Sequence, residues 1–97
     1  MSTADLILRG ARLIDGTGGP SQTGDLAVIG DRIAAIGDLD HWRGGMEVDA
    51  AGLVLAPGFI DSHCHDDLAI LQTPLLEPKI SQGVTTEVLG QDGLSYA

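Results

Sequence analysis

Residues 57–67, PGFIDSHCHDD, constrain this chain more than any other stretch. Apolar residues run up to them through Leu53, Val54, Leu55 and Ala56, and then Phe59 and Ile60 give way to two imidazoles and three carboxylates. The run predicts a buried strand that ends in polar chemistry. If residues 59–65 are extended, the period of two places Asp61, His63 and His65 on one face and Ile60, Ser62 and Cys64 on the other. Two neutral imidazoles side by side at a strand end make half of a metal site, because structural zinc takes four ligands and catalytic zinc three and a water. Further ligands would have to come from the loop after the next strand or from other sequence. The alternative is a pair of exposed or hydrogen-bonded strand-end histidines with no ion between them, and the spacing alone does not choose.

The stretch also divides the chain. Before it, glycine recurs at short intervals, and residues 5–9 (DLILR), 11–14 (ARLI), 26–29 (LAVI), 32–36 (RIAAI), 46–49 and 53–56 read as about six short strands of an all-β module. Gly30-Asp31 is the two-residue spacing of a tight hairpin. DGTGGPSQTGD is a turn-rich loop that lacks the lysine and following helix of a phosphate-binding loop. After Pro57 the pattern becomes strand, helix over residues 75–82 with Pro78 in its first turn and Gly83 as its stop, then a β-rich run at 84–89. That is the order of a βαβ unit in a parallel sheet. Such a sheet needs more strands than 97 residues supply, so the expectation is a small β module, residues 1–56, joined to the start of a truncated α/β domain, residues 57–97.

Charge and cysteine content exclude several functions. The net charge is −9 and no cluster of Lys or Arg occurs, which leaves nucleic acid and anionic membranes without an electrostatic partner. One cysteine rules out an internal disulfide framework and fits a reducing compartment. No leader pattern or apolar run of membrane-spanning length is present, and a cytoplasmic location is expected.

Two motifs together, PGFIDSHCHDD and KISQGVTTEVLGQDG, resemble the amino-terminal part of the amidohydrolase superfamily, specifically its N-acyl-D-amino-acid deacylase (D-aminoacylase) branch. LILRGARLIDGTG and GDRIAAIG extend the likeness across residues 1–56. The resemblance implies a small β-sandwich followed by a (β/α)₈ barrel of which only the first unit is present, the sandwich being completed in family members by strands from the far carboxyl end. It implies that His63 and His65 bind metal, usually zinc, as one or two divalent ions. Asp61 would support them by orienting a ring or capping the strand end. Asp66 and Asp67 would shape the mouth, while Cys64 would be a small buried residue and Lys79 a helix residue without a bridging or catalytic role. His41 beside Trp42 reads as a surface residue.

Many members carry Gly-Asn-Cys-Gly after the second strand, with the cysteine on the metal, whereas this chain has Gly90-Gln91-Asp92-Gly93. Asp92 stands in the cysteine's place, as a harder ligand or as an ordinary loop aspartate. The implied activity is metal-dependent hydrolysis of an N-acyl amino acid or related small amide, with the catalytic acid/base outside these residues. Other amidohydrolases of hydantoinase, dihydroorotase or isoaspartyl dipeptidase type share the first metal motif. A non-catalytic module is the reading from another class. The stretch 57–97 is expected to need association with the remainder of a barrel or with a second copy.

Overall fold

The computed structural model describes residues 2–90, in two compact units divided between Pro57 and Gly58. The first holds five strands: β1 (Thr3–Leu13), β2 (Gln22–Ile29), β3 (Arg32–Gly37), β4 (Arg43–Asp49) and β5 (Val54–Leu55), in the order β3-β2-β1-β4, with β5 also on β1. The two segments expected at 5–9 and 11–14 form one long strand. Gly10, at φ +72, bends it without ending it, and the register with β2 slips between Leu8 and Ala11. The Gly30-Asp31 hairpin forms as its spacing predicts, β2 and β3 running antiparallel around Gly30 at φ +60.

Residues 43–49 and 54–55, by contrast, do not pair with each other. Both lie parallel to β1, β4 beside Thr3 to Arg9 and β5 beside Arg12 and Leu13, with the turn at 50–53 crossing the Gly10 bend. Ala50 N–H donates to the Arg9 carbonyl at 2.7 Å and Arg12 N–H to the Leu53 carbonyl at 2.9 Å, so the ladder is carried across the break.

Paired residues share a face, which gives this sheet two unlike sides. On one, Ile7, Ala27 and Ala35 lie in register and the segment after β3 folds over them, so that Ala4, Ile7, Ala27 and Leu39 form the core with Ala35 and Trp42 against it. Arg9 fastens that cover by donating to the carbonyls of Leu39 and Trp42, each at 2.7 Å. The other side carries Met46, Leu6, Val28 and Ile33 in one row and Val48, Leu8, Leu26 and Ile36 in the next. Nothing among the described residues covers its margins: Met46 is 63% exposed and Ile33 62%.

The second unit contains β6 (Phe59–Asp61), α1 (Asp67–Gln72), α2 (Glu77–Ile80) and β7 (Val84–Glu87). β6 and β7 are parallel, with Asp61 opposite Glu87, so the βαβ order read from the sequence is present. Two short helices stand where one was expected. The earlier, DLAILQ, has Asp66 at its N-cap and Asp67 in its first turn, a start signal present in the sequence although the Asp66 side chain makes no capping hydrogen bond. The later has Pro78 in its first turn but covers only Glu77–Ile80 of the expected 75–82; it stops at Ser81, and Gly83, at φ +90, closes the turn that follows. The expected buried strand is not buried among the described residues. Phe59 is 64% exposed, because β6 has one neighbour and a parallel strand is covered only by neighbours and crossover helices. No described helix is long and apolar enough to cross a membrane.

Candidate metal centre

The strand that carries the histidines stops earlier than the alternating pattern requires. β6 ends at Asp61, the chain bends at Ser62 and His63, and the two-face reading fails from there on. Cys64 does not simply point away: it is buried, its thiol lies 3.6 Å from the Val88 carbonyl, and its sulfur comes within 4.8 Å of carboxylate oxygens of Asp61 and Glu87. Burial pushes its thiol pKa up, and the carboxylates around it push the same way.

His63 and His65 remain together despite the bend. Both are exposed, and their rings meet edge to face with centroids 5.2 Å apart. Two imidazoles each about 2.1 Å from one tetrahedral ion would have centroids roughly 5 Å apart. The separation is of that size, but among the described residues no third ligand atom joins the pair within 4.8 Å. Asp61 sits directly beneath, its Oδ1 accepting the His63 backbone N–H at 3.2 Å. Asp92 lies outside the described residues.

Sequence reasoning passed over the group that ties this turn down. Lys79, on α2, places its ammonium 2.5 Å from Asp61 Oδ2, 3.8 Å from Asp66 Oδ2 and 3.9 Å from Glu87 Oε1. The Lys79 hydrogen bond, and then the His63 N–H, hold the Asp61 carboxyl below its usual range, and Asp61 in turn raises the Lys79 pKa. Glu87 behaves oppositely. Its side chain is 7% exposed, neither oxygen has a hydrogen-bond partner, and burial pushes its pKa up, with Asp66 adding to the effect. Asp66 Oδ2 and Asp67 Oδ1 are also buried without such a partner. Asp67 does not sit freely in a mouth: it is buried, and its Oδ2 accepts the Gly90 N–H at 3.3 Å. The available signal for Lys79 was its rarity, since it is the single lysine of the chain and lies between the two strands that bear Asp61 and Glu87.

A second convergence of acids, Asp25, Asp38 and Asp40, lies in the first unit. It needs no ion. Asp25 already accepts N–H groups from Gly10 and Leu39 and faces Arg9, and against the opposing effect of burial these hold its carboxyl below the ordinary range. In the second unit the donors are different in kind: two adjacent imidazoles stand in one place, and Asp61, Cys64 and Glu87 bring ligand atoms within 4.8 Å of one another in another grouping that, among the described residues, includes neither histidine.

No family model matches the chain. Among proteins of known function it is similar to the N-acyl-D-aspartate deacylase of Alcaligenes xylosoxydans xylosoxydans, 58% identical over 94 residues that make up 97% of this chain and 19% of that protein. Among solved structures it is similar to D-aminoacylase, described as defining a novel subset of amidohydrolases and as having a binuclear metal center. That match has a TM-score of 0.91 and 52% identity, covering 97% of this chain and 20% of the other. It is also similar to the N-acyl-D-glutamate deacylase of Bordetella bronchiseptica, solved with zinc and a phosphonate that mimics the tetrahedral intermediate, with a TM-score of 0.90 and 47% identity over 99% of this chain and 20% of the other. The chain thus spans about a fifth of the length of the relatives it matches.

Proposed function

We propose, from its similarity to the N-acyl-D-amino-acid deacylases, that the whole protein is a zinc-dependent amidohydrolase that cleaves N-acyl-D-amino acids to a carboxylate and a free D-amino acid. The observation that carries the proposal is the His63–His65 pair, whose ring centroids lie 5.2 Å apart, in a chain similar along nearly its whole length to an enzyme solved with zinc. His63 and His65 would hold zinc, joined by Asp92, and Asp61 would support them from below. An ion held there supplies Lewis-acid polarisation of an amide carbonyl and a lowered pKa for water. The chain's own residues have simpler tasks. The two imidazoles must stay neutral to donate, Asp61 fixes the backbone that bears His63, and buried Cys64 anchors the turn between them.

In the same reading, residues 1–56 form one layer of a β-sandwich and residues 57–97 begin a (β/α)₈ barrel. The bare apolar rows of the first sheet and the parallel β6–β7 pair support that architecture. A cytoplasmic location and a small-molecule amide as substrate belong to the proposal too.

Purified whole protein, assayed for amine release from N-acetyl-D-aspartate, N-acetyl-D-glutamate and N-acetyl-D-methionine before and after chelation, tests the function. Activity should vanish on chelation and return with zinc. His63→Ala and His65→Ala should each lose bound zinc and activity, while Cys64→Ser should keep both. Wild-type zinc content and turnover in either histidine variant would remove the basis for the proposal.

A further inference from the structure

The His63-Cys64-His65 triplet is bracketed by one ammonium. Asp61 precedes it and Asp66 follows it, and Lys79 reaches both carboxylates from α2 while also facing Glu87 on β7. The contacts form a chain of custody from helix to imidazole: Lys79 Nζ to Asp61 Oδ2 at 2.5 Å, then Asp61 Oδ1 to the His63 N–H at 3.2 Å. A carboxylate at a strand end has freely rotating alternatives, and a second bond on its far oxygen removes them. The ammonium is also the positive charge nearest to Asp66 Oδ2 and Glu87 Oε1, two buried oxygens that lack hydrogen bonds. No other lysine or arginine follows Arg43.

We propose that Lys79 is a positioning residue for the metal site, fixing the His63-Cys64-His65 turn through Asp61 and Asp66 so that the two imidazoles are set for one ion before it arrives. The proposal rests on the zinc-binding reading of His63 and His65. It assigns Lys79 neither a ligand nor a proton-transfer role, because its nitrogen is directed at carboxylates and its pKa is raised.

The test uses the whole protein, with zinc affinity measured by competition against a chromophoric chelator and the visible spectrum recorded after cobalt substitution. Lys79→Met should weaken zinc binding by about 10- to 100-fold, the usual consequence of removing a group that orients a ligand, and should shift the cobalt bands. Lys79→Arg, which keeps the positive charge, should restore most of the affinity. Asp61→Asn should weaken binding to a similar degree, and the double variant should bind no worse than the weaker single one, since both cut the same chain of contacts. Wild-type affinity and cobalt bands in Lys79→Met, or fully additive losses in the double variant, would overturn the proposal. If Lys79→Met does not fold, Asp61→Asn decides: unchanged cobalt bands there overturn it equally. Zinc lost in His63→Ala but retained in Lys79→Met would reject this inference alone, whereas zinc retained in His63→Ala would reject the metal reading and this inference with it.

Discussion

Gly58 lacks a side chain for a reason that lies across the ladder from it. A Cβ built there would stand 2.0 Å from Thr85 Oγ1 and 2.7 Å from Thr85 Cβ, so β6 and β7 can approach only over a glycine. Gly58→Ala should therefore destabilise the whole protein by about 1–3 kcal/mol through overpacking. Adding Thr85→Ala should recover part of that loss and not all, because the Thr85 Cβ clash persists. Thermal unfolding of the three variants measures this, and a neutral Gly58→Ala would show the two strands free to separate. Asp25 gives a pH-dependent counterpart in the first unit. With its carboxyl held low in the folded state, its contribution is fully present above the unfolded value of about 3.9 and is lost as pH falls through the lower native pKa. Amide exchange at Gly10 and Leu39, whose N–H groups it accepts, should quicken as pH drops through that window relative to intrinsic rates, and Asp25→Asn should flatten the dependence.

At the scale of elements, what the sequence revealed followed how local the determining contact is. The β2–β3 hairpin was readable because Gly30 supplies the positive φ of its own turn, whereas Gly83 marked only the turn before β7 and not the end of α2, which comes at Ile80. The partners of β4 and β5 were not readable, since both lie beside β1, some 40 residues earlier for Arg43 and Thr3, and turn chemistry at Gly52 says nothing of a distant neighbour. The bend at Ser62 and His63 is a similar case. It is held by Val88 and Lys79, which no periodicity within residues 59–65 could disclose, so His63 and His65 were found as a pair while the setting of Cys64 and Glu87 was not. The two-row apolar face carries an expectation of its own. In the whole protein Leu26→Asp and Ile36→Asp should each lower stability, because a covering layer would bury the charge. The 97-residue chain by itself should self-associate, and the same substitutions should reduce that association in sedimentation. A monomeric wild-type chain together with neutral substitutions in the whole protein would show the face to be a surface in its own right.

For the molecule as a whole, charge follows the division between the units: four arginines are interspersed with acids before Pro57, and after it a single lysine stands among Asp61, Asp66 and Glu87. The first sheet also sets an order of events. β1, the first strand in the chain, lies at its centre, with β2 and β3 reached through successive antiparallel neighbours and β4 and β5 on its opposite edge. As the polypeptide leaves the ribosome, one flank of that opening strand is occupied within a single meander, while the other stays bare until residues through Leu55 have emerged. During that interval the nascent chain displays an unpaired central edge beside its own apolar rows, so the speed of translation between Gly37 and Leu55 sets how long a chaperone or a neighbouring nascent chain has to find it.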